Sequence, residues 1–116
     1  MRNTYFVDID GTLIEHIDNF ADITNYKVLK ALPGARENTA KWHCEGHMII
    51  LTTARPESTR KLTEEQLSAA GVIYDMLIMG IGQGKRILIN DHQSDKPFKA
   101  IAYNVIRNVD GIKHIP

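Results

Sequence analysis

Residues 5–13 read Tyr5-Phe6-Val7-Asp8-Ile9-Asp10-Gly11-Thr12-Leu13, and this stretch limits the possible folds more than any other. The aromatic and β-branched residues before Asp8 suit a buried strand. Gly11 then permits a sharp turn. Two carboxylates one residue apart therefore emerge at a strand's carboxyl end, where open α/β sheets place their ligands. Alternate strand residues share a face, so both acids can point into one crevice. An unpaired buried charge is expensive, so a core has no use for them there. The competing reading is a surface turn that happens to carry two acids.

The rest of the chain alternates strand and helix signals. The first strand falls at about residues 3–8, and residues 11–24 form an irregular excursion beyond it. A helix is expected near 34–45: Pro33 suits its first turn, Ala35, Thr39 and Trp42 share a face, and Gly46 stops it. Residues 48–51 make a second buried strand. Residues 57–70 are helical up to Gly71, with Thr63 and Gln66 as a possible capping box that would start the helix late or split it. Residues 75–79, 87–89 and 100–105 supply a third, fourth and fifth strand. The pattern predicts an α/β, three-layer Rossmann-like fold with a parallel sheet of about five strands and right-handed crossovers.

At 116 residues the chain fits one domain, 1–116, and its 43% hydrophobic content can supply one modest core. Fourteen basic and fourteen acidic residues cancel, which argues against a general nucleic-acid or membrane-surface binder. Cys44 is the only cysteine, so no internal disulfide forms, and the composition suits a cytoplasmic setting. No hydrophobic leader precedes the first strand, so no signal peptide is expected. The apolar runs are too short to span a bilayer.

Three further stretches carry polar residues where a site would need them. The second strand ends in Thr52-Thr53-Ala54-Arg55, and a hydroxyl just past a parallel strand can donate to a phosphoryl oxygen; ordinary loop hydroxyls are the alternative. Gly80-Ile81-Gly82-Gln83-Gly84-Lys85-Arg86 looks like a phosphate-binding glycine loop. It lacks the P-loop's first glycine, where Met79 stands, and the Ser or Thr after its lysine, where Arg86 stands; Lys85 takes the third glycine position of the dinucleotide form. It therefore reads as a flexible loop. Asn90-Asp91-His92-Gln93-Ser94-Asp95 comes after the fourth strand, where the plain alternative is an Asx-type turn. His43, Cys44 and His47 have neither the ligand number nor the continuity of a structural zinc site.

Asp8-Ile9-Asp10-Gly11-Thr12-Leu13 resembles the first motif of the haloacid dehalogenase superfamily, most of whose members are magnesium-dependent phosphohydrolases. Thr53-Ala54-Arg55 resembles its second motif, which favours Thr53 over Thr52 for the phosphate; Arg55 is placed to contact the substrate, with a position in solvent as the equal alternative. Lys85, with Arg86 as runner-up, stands where the third motif places a phosphate-holding cation. Asp91 and Asp95 match one spacing of the fourth motif, with Asn90 a departure from it. The resemblance implies that Asp8 is the nucleophile and forms an aspartyl-phosphate, and that Asp10 is the acid and then the base. It also implies that Asp8, Asp10 (through its carbonyl) and Asp91 hold Mg2+, with Asp95 and Asn90 as outer neighbours.

Residues 11–52 and 54–84 already hold the crossovers, so neither interval has room for a full cap. The expectation is a capless phosphatase acting on a small phosphorylated metabolite, such as a sugar phosphate or polysaccharide precursor. Specificity would come from the excursion (Glu15 and His16), from Arg55, from the loop at 80–86, or from a second copy in a homo-oligomer covering the open site. The alternative is a receiver-like phosphoacceptor or a non-catalytic binding module on a similar sheet.

Overall fold

The protein, seen in a computed structural model, is described over residues 1–18 and 28–116. Residues 19–24 of the 11–24 excursion therefore lie outside the described residues. Three strands, β1 (Thr4–Asp8), β2 (Met48–Thr52) and β3 (Met76–Ile78), form a parallel sheet in the order β1-β2-β3. The pairing is in register at the carboxyl ends: Asp8 lies opposite Thr52, and Thr52 opposite Ile78. β2 is central, and its Ile49, Ile50 and Leu51 are all buried, as expected for a strand flanked on both edges and covered on both faces. In β1, Val7 turns inward while Phe6 stays more than half exposed.

Helix α1 (Ala35–Cys44) connects β1 to β2, and its buried residues are Ala35, Thr39 and Trp42, the face read from the sequence. It begins after Gly34 in the left-handed conformation (φ 83°), where a Cβ would meet the Lys113 backbone at 2.6 Å; only glycine meets both demands. At its other end the amides of Gly46 and His47 donate back to the His43 and Trp42 carbonyls, a glycine-terminated cap. The Trp42 ring stacks on Tyr5 of β1 at 3.9 Å between centroids, and this contact docks helix on sheet. The second helical stretch is split, as the sequence allowed: a 3-10 turn at Glu57–Thr59 runs into α2 (Arg60–Ala69). Thr63 and Gln66 are not a capping box. They lie within α2 and are fully buried.

The sheet has three described strands, not about five. Residues 87–89 and 100–105 form no strand, and residues 82–104 are exposed throughout. The physical reasons are local. The 87–89 run is three residues long and comes after Gly80, Gly82 and Gly84, whose ordering entropy is the largest of any residue. In 100–105, Ala100, Ala102 and Asn104 alternate with the β-formers and have weak strand preference. No described strand pairs with the outer edge of β1. After residue 105 the chain packs back: the Asn108 amide donates to the Gly11 carbonyl at 3.0 Å, the Ile112 amide to Pro33 at 2.9 Å, and the Asn38 side chain to Ile112 at 2.6 Å. Among the described residues there is no separately folded cap over the sheet's carboxyl edge, and no helix is long and apolar enough to cross a membrane.

An exposed segment without regular structure is the preferred target of a protease. Brief trypsin treatment should cut first after Lys85, Arg86 or Lys99, with mass spectrometry of the fragments as the readout. A first cut within 35–72 would contradict this division of the chain.

Candidate active site

The first loop is organised around one carbonyl. The amides of Thr12, Leu13 and Ile14 all converge on the Ile9 carbonyl at 2.9–3.2 Å, and the Gly11 amide reaches Ile14 at 2.7 Å. Gly11 takes φ 84°, a conformation that L side chains avoid. Ile9 is fully buried in the core cluster, so strand alternation turns its neighbours Asp8 and Asp10 to the opposite side. The sheet register places Asp8 beside Thr52, and Thr53 is next in the chain. Thr53 is buried; its hydroxyl accepts the Arg55 amide proton at 3.1 Å, and its own amide donates to Ile78.

Asp8 keeps a face toward solvent, but the atoms crowded around its carboxyl strip away part of its water. This burial pushes its pKa above the ordinary 3.8, and the neighbouring Asp10 charge pushes the same way. The Ile9 amide, the Arg86 charge and the Thr12 hydroxyl, 3.4 Å from Oδ2, oppose the rise without cancelling it.

Asp10 is held differently. The Arg55 guanidinium grips it side-on, Nε to Oδ2 at 2.9 Å and Nη2 to Oδ1 at 2.6 Å. The other edge of the guanidinium is taken too: Nη1 donates to Thr63 Oγ1 at 3.1 Å and to Gln66 Oε1 at 2.5 Å. Arg55 is buried, with four of its five N–H donors engaged. The expected substrate contact by Arg55 is therefore not what the structure displays, because buried donors already committed cannot face a phosphate.

Of the two candidate cations, Arg86 and not Lys85 is the one whose charge acts on Asp8. Its Nη1 donates to the Gly82 and Gly84 carbonyls at 2.8 and 2.6 Å, so the glycine loop folds onto its own arginine. Lys85 is exposed. Asp91 is exposed and paired with Lys99. The described residues hold no group of three acidic, histidine or cysteine side chains able to share a metal, so Asp8, Asp10 and Asp91 are not gathered. With residues 87–89 unpaired, nothing carries Asp91 to the sheet's carboxyl edge; Asn90 and Asp95 stay on the same exposed segment. Glu15 accepts the Lys30 amide, and the His16 backbone exchanges two bonds with the Asn108 side chain, so both serve the loop's own architecture.

Sequence reasoning missed Thr63 and Gln66 as partners of Arg55. Their signal was present: two polar residues three apart on the face that also carries Leu67, which on a buried helix face demands a polar partner. It also missed Arg107, whose Cγ would stand 2.8 Å from a Cβ at position 11, so that a side chain there would have to displace it as well as adopt the positive φ.

No family model matches the chain, and no curated protein matches it. Among solved structures it is similar to a structural-genomics target from Vibrio cholerae, at 22% identity and a TM-score of 0.53, over 73% of this chain and 78% of that one. At that identity the likeness shows a shared fold.

The raised Asp8 pKa has a thermodynamic sign. A carboxyl that binds its proton more tightly when folded stabilises the protein below the unfolded pKa, and that stabilisation is lost as pH rises through the folded one. Asp8→Asn should therefore be more stable than wild type near pH 7. The gain should shrink on acidification and vanish below 3.8. Thermal midpoints across this range test it; an Asp8→Asn protein less stable at neutral pH would contradict it.

Proposed function

We propose that the chain is a magnesium-dependent phosphohydrolase that cleaves phosphate monoesters through an aspartyl-phosphate on Asp8. The observation that carries this reading is the pair Asp8 and Asp10 on one side of a tight loop, at the carboxyl end of a parallel strand, with Thr53 at the end of the next. The first carboxylate is partly desolvated and open to a ligand, and the second is firmly held by the Arg55 guanidinium; their roles as nucleophile and acid–base are those the resemblance implies.

In the first half-reaction an Asp8 oxygen attacks phosphorus, the bond from phosphorus to the ester oxygen breaks, and Asp10 gives that departing oxygen a proton. In the second, water attacks the phosphorus of the aspartyl-phosphate, its proton passes to Asp10, and Asp8 is released with inorganic phosphate. The Thr53 hydroxyl and the Arg86 charge are the groups assigned to the phosphoryl oxygens. The Asp8 carboxylate and the Asp10 backbone carbonyl are hard oxygen donors of the kind magnesium takes; burial first, and the neighbouring Asp10 charge second, raise the Asp8 pKa, and a cation beside the carboxylate would oppose both. Bound magnesium would supply positive charge against an anionic nucleophile and an anionic substrate. Asp91 is the third ligand that the resemblance implies, and its part is read from the magnesium affinity of Asp91→Asn. With no cap among the described residues, a phosphorylated metabolite such as a sugar phosphate or polysaccharide precursor reaches the carboxylates directly.

A phosphate-release screen of phosphorylated metabolites tests the reading. Turnover should require magnesium, stop with a chelator and be absent in Asp8→Asn. Asp10→Asn should lose about 10²–10⁴-fold in turnover, the range of a positioned acid–base group. Wild-type turnover in Asp8→Asn would remove Asp8 as nucleophile, and a single phosphorylation without turnover would mark a phosphoacceptor instead.

A further inference from the structure

Resting on the phosphohydrolase reading, we propose that Arg55 is a positioning residue that fixes the Asp10 carboxylate for proton transfer, and that Thr63 and Gln66 of α2 hold Arg55 in turn. The geometry of the pair is the starting point. An aspartate has two side-chain torsions, and a single hydrogen bond leaves its carboxylate free to swing about the bonded oxygen. The planar fork of Arg55 bonds both oxygens at once, at 2.9 and 2.6 Å, and so removes that freedom. The fork is itself fixed, because Thr63 and Gln66 occupy its far edge.

The backbone of Arg55 is no looser. Its amide donates to the Thr53 hydroxyl at 3.1 Å and its carbonyl accepts from Gly80 at 2.8 Å. One residue therefore ties together the loop after β1, the loop after β2 and the chain leaving β3. The clamp also leaves chemistry open. Each carboxylate oxygen has two lone pairs, and the guanidinium takes one from each. The Asp10 side chain is 18% exposed against 4% for Arg55, so a proton can reach Asp10 from the solvent side with the clamp intact. A buried ion pair is a weak source of stability once desolvation is counted; holding one group in one orientation is what this arrangement does well.

The test separates positioning from phosphate binding and from a structural role. An alkyl phosphate needs its departing oxygen protonated, whereas a nitrophenyl phosphate releases a stable phenolate without help. Because kcat/KM covers only the steps up to departure of the leaving group, the ratio of aryl to alkyl kcat/KM reads the acid alone. In Arg55→Lys, whose single ammonium cannot reproduce the fork, this ratio should rise at least about tenfold, a modest part of what general acid catalysis supplies. The aryl ester should also show a burst of nitrophenolate, because water attack has lost its oriented base. Thr63→Val, which keeps Arg55 and removes one support, should raise the same ratio by a smaller factor and serves if Arg55→Lys does not fold. An unchanged ratio in both variants, or equal losses on both esters through KM, overturns the proposal while leaving the phosphohydrolase reading in place. Absence of wild-type turnover on any phosphate ester overturns that reading and this proposal with it.

Discussion

The site depends on the in-register parallel pairing of β1 with β2. That pairing sets Asp8 opposite Thr52, so the chain after each strand leaves from the same edge at the same height. Residues distant in sequence, Asp10 and Arg55, meet because of it. The pairing depends in turn on the burial of Ile49, Ile50 and Leu51 on the central strand. A register slip of one residue would turn Ile9 outward and both carboxylates into the core, where unpaired charge is not tolerated. The hydrophobic pattern thus fixes the chemistry of the edge.

The electrostatics of the edge are unequal by construction. Asp8 carries a carboxyl held above its ordinary pKa by burial and by its neighbour, while Asp10 is neutralised by a guanidinium built into the core beneath it. The difference arises in the loops that leave the two strands. The loop after β1 turns tightly on Ile9 and leaves Asp8 with one amide and one weak hydroxyl contact. The chain after β2 sends Arg55 inward, where buried polar residues of α2 receive it. One acid is left in need of positive charge, and the other is already supplied.

Much of this was legible in the sequence, and for identifiable reasons. Tyr5-Phe6-Val7 and Met48-Ile49-Ile50-Leu51 announce strands through composition that only a sheet can use, and Ala35, Thr39 and Trp42 announce a helix face through spacing; all three appear where expected. The positions of Asp8, Asp10 and Thr53 are set by those strands, so the heart of the candidate site was legible as well. Residues 87–89 and 100–105 have strand-like composition, yet a strand exists only with a partner, and no local pattern states whether one is supplied. Asp91 was therefore expected beside Asp8 and is found with Lys99. The destination of Arg55 was illegible for a related reason: a charged side chain after a strand looks solvent-bound until the buried acceptors eleven and fewer residues later are seen to face it.

The central claim is that phosphorus becomes bonded to Asp8, and it can be tested by trapping that bond. Asp10→Asn removes the base for water attack, and an aryl phosphate needs no acid for its leaving group. Incubating this variant with nitrophenyl phosphate and magnesium, quenching in acid and mapping the protein by mass spectrometry should find one phosphoryl group on the peptide containing Asp8. That group should be absent when Asp8→Asn is added to the variant. A phosphoryl group on any other residue, or continuing hydrolysis with Asp8 never modified, would contradict the account.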